Sequence, residues 1–333
     1  MFRVDHHWDR LKTCVVGRAY PPERLVWIED TKVRSSLEKI MIETEEDLQK
    51  LIQLLESFGV QIIRPSLPDV DNKTTKPMIA PRDHMAMIGD RFFIDRLRQP
   101  EQISGIVDVV RNAGNKVVFD KHINTADMIR MGKKLYWCNG LIRDQDTKDK
   151  SVFDKINHMI NLKRRECINH SLKDYDNIFL DMFEGHVDSM ISVIKPGLVL
   201  SINDRDCIDF CRQHLGDYEM ILVETKEDLI ARHEGVWNHK GVKWWVQGEE
   251  KNQKLAAFID YYISDWVGLV EETYFGINTL MIDEDNAVCV NFDEQTLAAY
   301  SRHGVNPHPI DFRHRFFWDD GIHCITADID RSK

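Results

Sequence analysis

Residues 184–201 of this 333-residue chain read EGHVDSMISVIKPGLVLS, and they show the repeated unit from which we predict the fold. A short polar motif that contains His186 and Asp188 leads directly into two apolar runs. The tripeptide KPG at residues 195–197 lies between these runs, as expected for the turn of an antiparallel hairpin. The stretch therefore predicts polar side chains at the start of a β-hairpin.

The same arrangement occurs at three other places in the chain. PRD at residues 81–83, NTAD at residues 124–127 and FGIN at residues 275–278 are each followed by two apolar runs around a turn. Pairs of a helix and a strand lie between the hairpins. In residues 44–58, leucines recur at helical spacing, Thr44 is the predicted N-cap, and VQII follows as a strand. The recurring unit is therefore strand, strand, helix, strand.

The two ends of the chain would supply a fifth unit. LKTCVVGRA at residues 11–19 lacks a helix of its own, and HCITADI at residues 323–329 lacks a hairpin partner. Pairing these terminal strands would close a ring. No Pro/Gly/Ser-rich linker divides the chain, so we predict a single α/β domain over residues 1–333. A closed ring would direct every polar motif into one central cavity.

Composition narrows the class of protein. The chain is 43% hydrophobic and 30% charged, which is enough to bury a sizeable core. The opening MFRVDHHWDR has no apolar segment of a signal peptide, and no later run approaches the roughly 20 apolar residues that span a bilayer. Seven cysteines at unpatterned spacings indicate reduced thiols. We therefore predict a cytoplasmic protein with no membrane partner.

The net charge of −11 argues against a nucleic-acid partner. The basic cluster KRR at residues 163–165 is interpreted as a solvated helix end. We predict no metal and no cofactor, because the histidines near the C-terminus lack compact ligand spacing and the pair Cys207 and Cys211 has no second pair. There is also no glycine-rich phosphate loop.

Cys324, in DDGIHCITADIDR at residues 319–331, is the candidate nucleophile. A nucleophilic cysteine needs an acid and base, which His186 could supply, and a group such as Asp127 to orient that imidazole. Asp83 and Asp188 are then surplus carboxylates, which would raise the thiol pKa and repel an anion. They suit a cation, and a planar guanidinium matches paired carboxylates. The bound cation would itself stabilise the thiolate.

Five segments together resemble a known family. WDRLKTCVVGRA, APRD, TADMIRMG, HVDSMISVIKPGLVLSINDR and HCITAD occur in the order found in the amidinotransferases, typified by arginine:glycine amidinotransferase. These belong to the guanidino-group-modifying, or pentein, superfamily, which also holds arginine deiminases and dimethylarginine hydrolases. The resemblance runs nearly end to end. It implies a five-bladed α/β propeller of ββαβ units closed by the N- and C-terminal strands.

The resemblance also implies roles for individual residues. Cys324 would take up the amidino group, His186 would carry the proton, and Asp127 would orient His186. The predicted substrate-binding residues are Asp83 and Asp188 for the guanidinium, Arg205 for the α-carboxylate of the donor, and Asn278 and His323 as further contacts.

The implied reaction moves the amidino group of L-arginine to an amine in two steps, through an amidino-cysteine. Glycine is the default acceptor, giving guanidinoacetate and ornithine. Two departures from the family keep a larger or cationic acceptor open, such as lysine or an aminocyclitol. The family's approach to the cysteine is glycine-rich, whereas here Asp319 and Asp320 precede Gly321, and Gly185 stands where the glycine-using enzymes carry a bulkier side chain.

Two rival functions remain at this stage. One is an arginine deiminase-like hydrolase that gives citrulline, and the other is a silent guanidine-binding scaffold. VWNHKGVKWWV at residues 236–246 is interpreted as a packed insertion, and its tandem aromatics are the candidate contact of a homodimer.

Overall fold

A computed structural model of the chain describes residues 1–68, 73–95, 100–138, 150–180, 186–223, 244–267, 275–290 and 294–332. Gly185 and residues 236–243 of the tryptophan-rich segment lie outside these ranges. Among the helices in them, none is both long and apolar enough to cross a membrane.

Five three-stranded sheets form the blades of the fold. In every blade the middle strand pairs antiparallel with the first strand and parallel with the third. The first blade contains β3 (Met85–Ile88), β4 (Arg91–Ile94) and β5 (Lys116–Phe119), and the second contains β6 (Met128–Met131), β7 (Lys134–Trp137) and β8 (Asp176–Phe179). The third blade contains β9 (Ile191–Lys195), β10 (Leu198–Ile202) and β11 (Glu219–Val223), and the fourth contains β12 (Leu280–Asp283), β13 (Asn286–Val290) and β14 (Asn306–Ile310).

The fifth blade joins the two ends of the chain, as the sequence predicts. Its strands are β15 (Thr326–Ser332), β1 (Arg10–Val16) and β2 (Gln61–Ile63). The last strand of the chain takes the place that the first hairpin strand takes elsewhere, and it pairs antiparallel with β1. This pairing joins chain segments more than 300 residues apart, so it holds the ring closed.

The helix of the fifth blade differs from the prediction. Helix α1 runs from Thr31 to Ser57, with Asp30 as its N-cap, rather than beginning at Thr44. Apolar residues continue its buried face upstream, and the Asp30 side chain accepts hydrogen bonds from two backbone N–H groups of the first turn. Thr44 is wholly buried inside the helix, where its hydroxyl accepts a hydrogen bond from the Trp318 indole.

Six more α-helices follow α1 in the described residues. They are α2 (Pro100–Asn112), α3 (Lys150–Ser171), α4 (Arg205–His214), α5 (Gln253–Tyr262), α6 (Glu294–Arg302) and the short α7 (Arg315–Trp318).

The predicted hairpin turns are present. Gly89, Gly132 and Gly197 lie at the turns of three hairpins with φ of 57°, 66° and 87°. Since this left-handed region is costly for residues with a Cβ, glycine is the natural residue at each turn. The turns set the register that brings each polar motif to the start of its blade.

The described end of the tryptophan-rich segment packs inward. Trp244 is fully buried and meets Phe317 edge-on, while Trp245 meets Phe316 in the same way. Both partners lie on α7, which leads into the Cys324 loop. This packing favours the packed insertion over an exposed contact surface for residues 244–245.

Candidate active site

Each blade contributes one polar motif immediately before its first strand. The motifs end at equivalent places because the blades are equivalent, so their side chains converge at one end of the ring. Two of them form single 3₁₀ turns, Pro81–His84 and Val187–Ser189. The residues concerned are Asp83 before β3, Asp127 before β6, Asp188 before β9, Asn278 before β12 and Cys324 before β15.

Asn278 holds the candidate nucleophile in place. Its Nδ2 donates to the Cys324 Sγ at 3.0 Å, and its Oδ1 accepts from the backbone N–H groups of His323 and Cys324 at 2.8 and 3.0 Å. The amide is fully buried. A Cβ on Gly321 would lie 2.5 Å from the Asn278 Oδ1, so the loop needs a glycine there. The Asn278 side chain therefore forms hydrogen bonds with the cysteine loop. The predicted contact of Asn278 with substrate stays a prediction.

Asp188 lies beside the thiol. Its Oδ2 is 3.7 Å from the Cys324 Sγ and 2.7 Å from the His323 Nδ1, and its Oδ1 is buried with no hydrogen-bond partner in the described structure. Burial raises the pKa of Asp188 to about 7, against the opposing charges of His186 and Arg82.

His323 acts on Asp188 as a neutral imidazole. Burial holds the pKa of His323 well below its usual value, and the Arg82 charge lowers it further. An ionised carboxylate only accepts, so the Nδ1 of His323 carries the proton when Asp188 is ionised. The predicted contact of His323 with substrate stays a prediction.

His186 lies between two carboxylates. Its Nδ1 is 3.7 Å from the Asp83 Oδ1 and its Nε2 is 4.0 Å from the Asp127 Oδ1, so both contacts are ion pairs rather than hydrogen bonds. Burial lowers the pKa of His186, but Asp83 and Asp127 outweigh burial and raise it. Its side chain keeps 34% of its exposure, so protons can exchange with solvent.

Asp127 is held by a residue that the sequence analysis missed. The Arg164 Nη2 donates to the Asp127 Oδ2 at 2.6 Å, and the Arg164 Nη1 donates to the Cys138 carbonyl at 2.8 Å. Burial would raise the pKa of Asp127, but the Arg164 charge outweighs it and lowers the pKa. The carboxylate is therefore ionised and fixed opposite His186.

The prediction that residues 163–165 form a solvated helix end is wrong for Arg164. Its side chain is buried on α3, whereas Lys163 is exposed. Arg164 shares one helical face with Ile168 and Leu172, which are fully buried. The i, i+4, i+8 spacing was the signal that could have found it.

Arg82, a second residue to which the sequence assigned no role, hydrogen-bonds to the backbone of the cysteine loop. It is fully buried, its Nε donates to the His323 carbonyl at 2.6 Å, and its Nη1 lies 3.3 Å from the Asp328 Oδ1. Because it precedes Asp83 in the same 3₁₀ turn, it links the motif of the first blade to the nucleophile of the fifth.

The substrate-free site keeps the thiol protonated. Burial raises the pKa of Cys324 well above its ordinary value, and Asp188, Asp320 and Asp83 raise it further. A cation bound among these carboxylates would reverse their effect.

Arg205 is the one predicted site residue that the structure does not bring to the others. Asp204 caps α4 and places Arg205 in the first turn, where its Nε lies 3.7 Å from Asp209. The side chain is 92% exposed. Its role at the donor carboxylate stays a prediction.

The described residues contain no group of three or more His, Cys, Asp or Glu side chains arranged to hold a metal ion. The site instead offers a thiol, an imidazole and carboxylates, which suit acid–base and nucleophilic chemistry on a cation.

No family model and no curated protein sequence matches this chain. Its fold, however, is similar to solved structures. SxtG, an amidinotransferase from Microseira wollei in the saxitoxin biosynthetic pathway, is 16% identical with a TM-score of 0.68 over 100% of this chain and 98% of that chain. The inosamine-phosphate amidinotransferase of Streptomyces griseus is 18% identical with a TM-score of 0.63 over 100% and 97%.

The N-terminal domain of ArgZ, an arginine dihydrolase from the ornithine–ammonia cycle in cyanobacteria, is 12% identical with a TM-score of 0.57 over 96% and 98%. These comparisons confirm the predicted five-bladed α/β propeller, the pentein fold.

Proposed function

We propose that this protein takes the amidino group from L-arginine and transfers it to an amine through a covalent intermediate on Cys324. The observation that carries the proposal is a buried thiol next to Asp188, and Asp188 and Asp83 each have a buried oxygen that accepts no hydrogen bond from the described residues. Such a pocket repels anions and favours a cation that donates several hydrogen bonds, as a planar guanidinium does. The fold shared with amidinotransferases and an arginine dihydrolase supports the same chemistry.

In the proposed donor complex, Asp83 and Asp188 accept hydrogen bonds from the guanidinium, and Arg205 pairs with the α-carboxylate. The positive charge of the guanidinium offsets the carboxylates that raise the Cys324 pKa. Binding of the donor therefore activates the nucleophile, and an empty site keeps an unreactive thiol.

In the first step the thiol proton passes to His186 and the Cys324 Sγ attacks the guanidinium carbon. The bond between that carbon and the δ-nitrogen of arginine breaks, and His186 returns the proton to the departing nitrogen. Ornithine leaves, and the amidino cation stays on sulfur. Asp127, fixed by Arg164, faces the Nε2 of His186 and stabilises its protonated form.

In the second step an acceptor amine gives a proton to His186 while its nitrogen attacks the amidino carbon. The carbon–sulfur bond breaks, the new guanidinium leaves, and His186 returns the proton to the thiolate. Glycine is the acceptor implied by the sequence resemblance, and it serves as the reference acceptor below.

The hydrolase alternative differs in which bond breaks first. Citrulline keeps the δ-nitrogen of arginine, so it forms only where ammonia leaves the cysteine adduct and water then releases the product. Water acting on an amidino-cysteine after ornithine has left would give urea instead. The partial exposure of His186, which leaves room for water, is the observation that favours this alternative.

The test is incubation with L-arginine alone and with L-arginine plus glycine, followed by mass spectrometry of the products and of the intact protein. We expect ornithine and an amidino adduct with arginine alone, and turnover when an amine acceptor is added. Cys324→Ala should abolish the adduct, while Cys289→Ala, which removes another buried thiol in β13, should keep it.

Citrulline without ornithine would make the protein a deiminase. Neither adduct nor product would indicate a silent guanidine-binding scaffold.

A further inference from the structure

Asp320 is a buried carboxylate in the cysteine loop that the proposed reaction leaves unused. Only 5% of the residue is exposed, and its Oδ2 has no hydrogen-bond partner in the described structure. A buried ionised oxygen without a donor is costly, so such a group needs a reason to be there. In the sequence, Asp320 is a departure from the glycine-rich loop of the amidinotransferases.

The loop holds Asp320 in one position. On one side, Asp319 has a left-handed φ of 57° and ends α7. On the other side, Gly321 packs against Asn278, the residue that also holds Cys324. The backbone N–H of Asp320 donates to the Arg315 carbonyl at 3.3 Å. The backbone of Asp320 is therefore held by the loop, and its side chain is buried there.

Asp320 lies in the same loop as the nucleophile, within electrostatic range of the site. It interacts electrostatically with His186, Asp83 and Asp188, and its charge also acts on the thiol of Cys324. Lys76 is the other cation that acts on it, yet the Oδ2 accepts no hydrogen bond.

The carboxylates of the described site are not all matched by a hydrogen-bonded cation. Arg164 pairs with Asp127 within the protein. Asp83, Asp188 and Asp320 each have a buried oxygen that accepts no hydrogen bond from the described residues. The amidino group carries one positive charge, both in arginine and in the covalent intermediate. In the second step His186 has to be neutral to accept a proton, so Asp83 then loses the charge of its ion pair with His186.

The acceptor is a further source of a cation that can donate a hydrogen bond to the unpartnered Oδ2 of Asp320. An α-amino acid such as glycine would instead bring a carboxylate next to its reacting amine, among like charges. The one arginine proposed to bind a carboxylate, Arg205, lies exposed beside Asp209.

We propose that Asp320 binds a second cationic group on the acceptor, so that the preferred acceptor is an amine with a further ammonium or guanidinium group and no carboxylate beside the reacting nitrogen. This inference rests on the proposed function, because it assigns the second substrate of the same site. Asp320 is then a residue that determines specificity, and the donor half of the reaction does not depend on it.

The test uses three acceptors of matched length that differ in the charge at the far end: putrescine, butylamine and 4-aminobutyrate, with glycine as a fourth. Rates of guanidino product formation are measured with the wild type, Asp320→Asn and Asp319→Asn. Asp319→Asn is the matched control, because it makes the same change in the same loop and asparagine tolerates a left-handed φ. Formation of the amidino adduct from arginine alone is measured for each protein.

We expect the wild type to prefer putrescine over butylamine, with 4-aminobutyrate and glycine slowest. Asp320→Asn should lower kcat/KM for putrescine at least about tenfold, since a hydrogen bond to a charged group is lost, and should change butylamine less than about twofold. Asp319→Asn should keep the preference, and all three proteins should form the adduct at similar rates.

Several results would overturn the inference while the proposed function stands. The first is an amidino adduct from arginine together with glycine as the fastest acceptor. The second is a rate that does not depend on the charge at the far end of the acceptor. The third is an Asp320→Asn protein that keeps the preference for putrescine. Loss of the adduct in Asp320→Asn alone would assign Asp320 to the donor instead. Absence of any adduct in the wild type would overturn the proposed function and this inference together.

Discussion

Two groups of charged residues contact the segment that joins His323 to Cys324. The first, here the arginine cluster, consists of Asp328 with Arg82, Arg130 and Arg331. The second, the carboxylate cluster, consists of Asp83, Asp188 and Asp320. Arg82 connects them, because it donates to the His323 carbonyl and also contacts Asp328.

The protein supplies the opposite charge in the arginine cluster. Asp328 accepts hydrogen bonds from Arg82, Arg130 and Arg331, and carbonyl groups accept from the same three guanidinium groups. Burial would raise the pKa of Asp328, but Arg130 and Arg331 hold it well below the usual value. Arg82 and Arg130 each keep one nitrogen without a partner.

In the carboxylate cluster, the cations that act on Asp188 and Asp320 do not outweigh burial. Burial raises the pKa of both groups to about 7, whereas the pKa of Asp328 is lowered. The difference indicates that Asp328 obtains its counter-charge from the fold, and under the proposed function a bound cation would supply the counter-charge of Asp188 and Asp320. Changes in the arginine cluster should cost stability, and changes in the carboxylate cluster should cost activity.

The largest expected effect follows loss of Asp328. Asp328→Asn leaves three buried guanidinium groups without their shared carboxylate, and we expect it to lower the free energy of unfolding by about 3–5 kcal/mol. Urea unfolding followed by circular dichroism measures this. Asp330→Asn, on the same strand but less buried, should change stability by less than about 1 kcal/mol. An equal loss in both variants would contradict a special role for the arginine cluster.

Asp188→Asn tests the other side of the comparison. Loss of one carboxylate beside the guanidinium should lower kcat/KM for L-arginine about 10- to 100-fold, since a charged hydrogen bond is removed. The midpoint of unfolding should stay the same or rise, because a buried unpaired charge is lost. A fall in stability as large as that of Asp328→Asn would show that the two clusters do not differ in kind.

The pH dependence of stability should distinguish Asp320. Its pKa of about 7 lies above the value of an unfolded chain, so between pH 4 and 7 the folded state binds more protons than the unfolded state. The contribution of Asp320 to the free energy of unfolding is therefore highest at low pH and falls as the pH rises toward 7. Relative to the wild type, Asp320→Asn should be more stable at pH 8 than at pH 5, by on the order of 1–3 kcal/mol.

Urea midpoints across pH 5 to 8 measure the Asp320 effect. Asp285→Asn, in the exposed turn between β12 and β13, is the control and should leave the wild-type pH profile unchanged. If the urea midpoint of Asp320→Asn depends on pH in the same way as that of the wild type, Asp320 does not act as a member of the carboxylate cluster.

Arg164 should show a smaller effect through Asp127. Arg164→Gln removes the charge that lowers the pKa of Asp127, so that pKa rises and the acid limb of the pH–rate profile moves to higher pH. We expect kcat at neutral pH to fall about tenfold. Lys163→Gln, one residue away and exposed, should stay within about twofold of the wild type. A lower kcat with an unmoved acid limb would mean that Arg164 acts on folding alone.

Arg205 should give the smallest effect. Since its side chain is exposed, a pair with the donor carboxylate is worth about 1 kcal/mol at most. Arg205→Ala should therefore raise KM for L-arginine up to about fivefold and leave KM unchanged for agmatine, which lacks that carboxylate. Equal KM changes for the two donors would place Arg205 outside the site.

Much of the fold could be predicted because its signals are local. Gly89, Gly132 and Gly197 mark turns by backbone conformation, and the apolar runs beside them mark strands. The closing pair of terminal strands was predictable because each terminal segment lacked part of the unit. The start of α1 was not predictable, because the residues around Thr44 resemble a helix N-cap although Thr44 is buried inside the helix.

The candidate site was predictable as a set of residue types. Cys324, His186 and the carboxylates stand out because they precede hairpins at equivalent points. Arg164 and Arg82 escaped notice because each resembles an ordinary surface arginine in its local sequence. Only the helical face shared with Ile168 and Leu172 indicated that Arg164 is buried.

By itself, the sequence determined the repeated hairpins, the five polar motifs and the chemistry available among them, since turns and strand patterns depend on neighbouring residues. The tertiary structure alone decided which charges meet. It placed Arg164 on Asp127 and three arginines around Asp328, and it left Asp188 and Asp320 buried with unpartnered oxygens. The physical reason is that desolvation and Coulomb interactions depend on burial and on distances between groups far apart in the chain, which no local pattern records.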